Sequence, residues 1–102
     1  MAASDIEKLD DLIHGRLRLG IMAYLANAET ASFGELQKAL KASPGNLSVQ
    51  IRKLEDAEYV HVDKRIVGRR PLTTARLLPK GRKAFSAYLK ALMDVVGRTK
   101  PD

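Results

Sequence analysis

Apolar positions recur every three or four residues over most of the chain, and every second residue over one stretch near its middle. Ile6, Leu9 and Ile13 are spaced as on one helix face over 5–14, with acidic residues between them. Ser4 followed by Glu7 matches a capping box at the start of that helix. Gly15 predicts a break. Leu17, Ile21 and Leu25 then repeat the helical period to residue 27, with Tyr24 beside the stripe, and the polar run Asn27-Ala28-Glu29-Thr30 ends it. A second capping box, Ser32 with Glu35, opens a short helix that turns Leu36, Ala39 and Leu40 inward. Ser43 suits a cap and Pro44 a first helical turn. The helix they open runs to about Ala57 on an inward stripe of Leu47, Ile51 and Leu54.

From Val60 the period changes to two. Val60, Val62 and Ile66 share one side of an extended run that Lys64 interrupts. Gly68 to Pro71 is the expected turn, and Leu72 to Leu78 returns as a second strand, to which Thr73 and Thr74 are suited. Pro79 opens a last helix to about Val96, with Phe85, Leu89, Leu92 and Val96 on one stripe and Tyr88 next to it. A frayed tail is expected from Gly97 onward. The elements are mainly α with a small β-hairpin (α+β). They predict one domain over 1–102, a winged helix-turn-helix with additional N- and C-terminal helices. Its parts are N-terminal helices at about 5–27, a helix-turn-helix at 32–57, a wing at 59–78 and a C-terminal helix at 79–97.

Composition narrows the chemistry. The chain has 102 residues, is 45% hydrophobic and contains no cysteine, which removes disulfides, thiolate zinc sites and cysteine nucleophiles together. Apolar runs fall short of membrane-spanning length and the start MAASDIEKLDD is too acidic for a signal peptide, so a cytoplasmic protein is expected, with no membrane partner. The net charge is +6 and is unevenly spread. Residues 44–83 carry ten basic and four acidic residues, against five and six over 1–43. Lys64, Arg65, Arg69, Arg70, Arg76, Lys80, Arg82 and Lys83 fall in a run without a single acid. A solvated surface is the plain reading of such a run. A one-signed field of this density fits better as the footprint of a polyanion.

Candidate binding residues cluster on two elements. Around the second capped helix stand Ser43, Gly45, Asn46, Ser48, Gln50 and Lys53. They would suit an ordinary solvated face, but Asn and Gln can pair two hydrogen bonds with adenine, Ser can bond to bases or phosphates, and Lys can reach guanine or phosphate. The amides at Gly45 and Asn46 favour a phosphate. Arg52 sits at the edge of this face, where Glu55 or Asp56 could pair with it. On the hairpin, Lys64, Arg65, Arg69 and Arg70 flank the turn in KRIVGRRP. His14 and His61 are the only histidines and have no partner at metal-ligand spacing. No Ser-His-Asp arrangement, phosphate-cradling Gly-rich loop or paired-carboxylate motif is apparent. Neither catalysis nor a cofactor or metal is expected. Ile6, Leu9, Ile13, Phe85, Leu89 and Leu92 on the end helices either pack on the chain's own core or meet their copies in a dimer. Surplus apolar residues at Leu12, Tyr88, Val95 and Val96 favour a homodimer.

Three stretches, LDDLIHGRLRLGIMAYLA (Leu9–Ala26), GNLSVQIRKLEDAEYV (Gly45–Val60) and VGRRPLTTARL (Val67–Leu77), resemble small stand-alone winged-helix regulators related to the MarR and ArsR families. The resemblance implies a transcription regulator that binds double-stranded DNA as a homodimer, with the second capped helix in the major groove and the hairpin on the backbone or minor groove. Two positions depart from the family pattern. Glu58 stands where the family usually has a left-handed Gly, and Leu78 where a Thr usually caps the last helix. Two other functions fit the same features. One is a winged-helix module for protein assembly, its basic surface meeting an acidic partner. The other is a sensor of an unknown small-molecule effector held between the end helices and the DNA-binding core, with Arg16, Arg18 and Tyr24 as candidate lining residues.

Overall fold

A computed structural model describes residues 6–97. Along them run helix α1 (Arg16–Ala26), strand β1 (Ala31–Ser32), helix α2 (Phe33–Leu40), helix α3 (Pro44–Asp56), strands β2 (Val60–Val67) and β3 (Arg70–Leu77), and helix α4 (Pro79–Gly97). The expected Ser4 cap and the tail 98–102 lie outside the described residues. The helix expected over 5–14 is interrupted. Within the described residues it covers only Ile6 and Glu7, and 11–14 form turns. Asp10 accounts for the break. Its Oδ1 accepts the backbone N–H groups of Leu12 at 2.9 Å and Ile13 at 3.3 Å, local bonds that compete with helix continuation.

α1 is the hub, packing on α2, α3, α4 and β3 through Ile21, Met22 and Leu25. Leu36 of α2 and Leu47, Ile51 and Leu54 of α3 complete the helical core, while Ala39, expected inward, is exposed. The sheet has the order β1-β3-β2 and is antiparallel throughout. β1 is too short to be seen in the sequence pattern, and becomes a strand only by pairing Ala31 with Ala75 and Ser32 with Thr74. Val60, Ala75 and Leu77 anchor the hairpin base in the core.

The wing turn is tighter than expected. β2 and β3 pair up to Val67↔Arg70, so the loop is Gly68-Arg69 alone and Pro71 belongs to β3 opposite Ile66. Gly68 has φ +66° and Arg69 is not left-handed, the pattern of a type II′ turn with Gly first. Pro71 is tolerated because β1 reaches only as far as Thr74, leaving β3 an open edge there.

α4 buries Gly81, Phe85, Tyr88 and Ala91. Its inward stripe is thus rotated from the expected one. Tyr88 is fully buried, whereas Leu89 and Val96 are exposed. Gly81 sets this rotation. It lies against the Tyr59 backbone, and a Cβ at residue 81 would overlap the Tyr59 carbonyl oxygen. The radius of gyration is 15.4 Å, where about 13 Å is usual for 100 residues. The long axis of 57 Å, against 25 and 21 Å, fits a molecule whose wing projects from the core.

Candidate nucleic-acid interface

The helix-turn-helix is built by local chemistry. Ser32 Oγ accepts the Glu35 N–H and Glu35 Oε1 accepts the Ser32 N–H, both at 3.1 Å, completing the capping box on α2. Lys41 closes α2 at φ +51°, and the chain re-enters a helix three residues later, at Pro44. Ser43 Oγ accepts the Asn46 N–H at 3.3 Å, so its oxygen serves as the α3 cap, and Pro44 occupies the first turn. The far end of α3 closes in a Schellman motif. Tyr59 N–H bonds to Leu54 O at 3.0 Å and Glu58 N–H to Glu55 O at 2.9 Å. Glu58 takes the left-handed position with φ +64°. The departure from glycine therefore leaves the closure intact and adds backbone strain.

Leu47, Ile51 and Leu54 point α3 into the core, so the helical period puts Val49, Arg52 and Lys53 outermost. Gly45, Asn46, Ser48 and Lys53 are exposed, and Gln50 is half-buried on the flank toward α1. Gln50 is also bonded. Arg18 Nη1 donates to its Oε1 at 2.5 Å and its Nε2 donates to Asn46 Oδ1 at 3.2 Å. One residue of this face escaped the sequence reading, and that reading puts another, Arg52, at its edge. Val49, 52% exposed, is an apolar side chain at the crest of the helix, where it can meet a thymine methyl. Arg52 forms no ion pair with Glu55 or Asp56 among the described residues, so it joins the exposed cations.

The register of the hairpin sorts its cations. Residues paired across strands share a face, so Lys64 and Thr73 lie on the face that continues from buried Val60. Lys64, Thr73, Ser48 and Arg52 line a groove of about 490 Å³ between wing and α3. Arg65, Arg70 and Arg76 lie on the opposite face, and Arg69 in the loop. Arg65 pairs with Asp63 at 3.0 Å, with both side chains exposed. Ile66 and Val67, 74% and 56% exposed, add apolar surface to the tip.

Two buried or half-buried hydroxyls tie the frame together. Tyr59 Oη donates to Asp10 Oδ2 at 2.6 Å, linking the segment before α1 to the start of the wing. That bond, with burial and the carboxylate's charge, pushes the Tyr59 hydroxyl up to about 12. Tyr88 Oη and His14 Nδ1 lie 2.6 Å apart, and burial pushes the Tyr88 hydroxyl up as well. His61 is exposed on β2, and among the described residues no cluster of His, Asp or Glu could hold a metal ion. Arg16 and Arg18 line a cleft beside α3, whereas Tyr24 instead reaches Glu35 Oε2 at 3.3 Å. Of the apolar residues assigned to an interface, Ile13 and Phe85 are buried in the chain's own core, Leu9 and Leu92 are half-buried, and Ile6 and Leu89 are exposed.

Residues 17–96 match the winged helix DNA-binding domain family. An uncharacterised protein of Methanocaldococcus jannaschii is 30% identical over 79 residues, spanning 78% of this chain and 86% of that protein. The transcriptional regulator homologue of Pyrococcus horikoshii OT3 has a solved structure with a TM-score of 0.86 and 29% identity, covering 93% of this chain and 96% of that one. A protein of Enterococcus faecalis V583 described as a transcriptional regulator of the MarR family shares the fold at a TM-score of 0.74 and 24% identity, covering 96% and 87%. No helix among the described residues is long and apolar enough to cross a membrane.

Proposed function

The chain belongs to the winged helix DNA-binding domain family, and on that premise we propose that it is a transcription regulator that reads a specific duplex sequence as a homodimer. α3 enters the major groove with Asn46, Val49 and Lys53 toward base edges, while Ser43 and Gly45 hold its N-terminus near a phosphate. The wing lies along the backbone or minor groove, with Arg69 and Arg70 at its tip and Lys64 and Arg65 behind them. The observation that carries this reading is the pairing of two surfaces. An exposed helix face of hydrogen-bonding side chains stands beside a hairpin that contains no acid from Lys64, in its first strand, through the turn to Leu77 at the end of its second. Support for the dimer is the unburied stripe Leu89, Met93 and Val96 on α4, rotated away from the core-facing stripe. Two copies joined there would present paired α3 helices to half-sites about one helical turn, roughly 34–36 Å, apart.

The exposed Ile66 and Val67 favour one competing reading, an acidic protein partner gripped by the wing. Retention on duplex DNA and on heparin at rising salt separates the two. A DNA reader stays on duplex DNA beyond the salt that strips it from heparin. Elution from both together would favour the protein partner.

A further inference from the structure

α3 has two flanks, and the wing occupies only one. On the other lies a cleft of about 510 Å³, formed by the start of α1, the end of α2 and the first turns of α3. Three cations line it, Arg16, Arg18 and Lys41, together with Asn46 and Gln50, and no carboxylate does. Arg18 is already engaged, since its Nε donates to Leu12 O and its Nη1 to Gln50 Oε1, both at 2.5 Å. Arg16 and Lys41 are exposed and form no ion pair among the described residues. Gly15 is the N-cap of α1, so no capping side chain accepts from the first-turn amides, and that turn holds no acid. Lys41 also holds a left-handed φ of +51°, a conformation that costs a lysine energy and that glycine or asparagine would adopt more readily. A strained residue that carries a charge into an acid-free cleft points to a use for the charge.

We propose that this cleft is a second backbone clamp, in which Arg16 and Lys41 hold a duplex phosphate on the side of α3 opposite the wing. The proposal rests on the DNA-reading function above. Arg18 acts there as a positioning residue, keeping Gln50 and Asn46 in place while its two neighbours neutralise the phosphate. The helix is then gripped on both flanks, which fixes its rotation in the groove as well as its depth. The same chemistry would accept a free inorganic anion, so the test carries an arm for each source.

In the first arm, the doubly substituted chain Arg16→Gln with Lys41→Gln is compared with wild type on one duplex over a series of salt concentrations. Glutamine keeps the side-chain length and leaves the backbone at residue 41 as it is, and melting curves check that both chains fold. The slope of log affinity against log salt should fall in magnitude by about 0.9 for the one phosphate lost. A wild-type chain that binds with a steep slope, beside a variant of equal slope, would overturn the clamp and leave the DNA-reading function standing. A wild-type chain that binds no duplex overturns both. In the second arm, inorganic phosphate is titrated at constant ionic strength while melting is followed. Equal, unsaturable shifts in both chains are expected. A saturable stabilisation of wild type that the variant lacks would assign the cleft to a free anion instead.

Discussion

Arg18 Nη1 donates to Gln50 Oε1 at 2.5 Å, and this bond decides which amide on α3 is free to read a base. With its oxygen held by Arg18 and its amino group turned to Asn46, Gln50 is half-buried and supports its neighbour. Asn46 keeps both amide hydrogens and one lone pair of Oδ1 for an outside partner, enough for two hydrogen bonds to an adenine edge. The two amides look equivalent in the sequence, and the structure gives them different hydrogen-bond partners.

Asn46→Ala should therefore weaken binding to the preferred duplex by about 1–3 kcal/mol and binding to unrelated duplex by little. Gln50→Ala should cost less, by way of a freed Asn46. Fluorescence anisotropy on the two duplexes measures both differences, and equal losses on both duplexes would assign Asn46 to the backbone.

On the wing, Arg69 occupies the loop and Arg70 starts β3, both exposed. Neither carries an ion pair among the described residues, so Arg69→Ala with Arg70→Ala should leave the melting temperature nearly unchanged. Affinity for specific and unrelated duplex should fall alike, and the salt slope should drop by about 0.9 for each phosphate contact removed. Parallel salt lines for variant and wild type would count against wing–DNA contact.

Glu58 closes α3 at φ +64°, where glycine suffers no Cβ penalty. Glu58→Gly should stabilise the fold by about 1 kcal/mol in urea unfolding and leave DNA affinity as it is. The contact it gives up is small, because the Glu58–Lys80 pair is 4.0 Å long and exposed.

Gly81 has the opposite sensitivity. Its missing Cβ lets α4 close on the Tyr59 carbonyl, which also accepts the Leu78 N–H at 2.9 Å. Gly81→Ala forces α4 away from the start of the wing and should destabilise the fold by about 1–3 kcal/mol, despite alanine's higher helix propensity. A stabilised variant in the same urea series would show that α4 can shift without loss.

Sequence reasoning succeeded where the determinants are local. The Ser32–Glu35 box, the Ser43 cap and the stripe of Leu47, Ile51 and Leu54 are each contained within one helix and appear as expected. It failed where a distant partner decides. Asp10 breaks the first helix by local bonds to Leu12 and Ile13, and its second carboxylate oxygen is held by Tyr59, far along the chain, a contact that no local pattern announces. Leu89 fits the apolar period of α4 as well as Tyr88 does, but the close approach of Gly81 to Tyr59 turns Tyr88 inward. Val49 was missed for a different reason, since apolar residues are searched for in cores and this one stands on the crest of a polar face.

Selection of bound sequences from a pool of random duplexes tests the central claim most directly, because it asks for base reading and for the dimer at once. The account predicts enrichment of an inverted repeat whose half-sites are about one helical turn apart, and loss of that enrichment with Asn46→Ala. A pool that shows no sequence preference after repeated rounds, although the protein still retains duplex, would contradict sequence-specific reading and reduce the surface to a general polyanion grip.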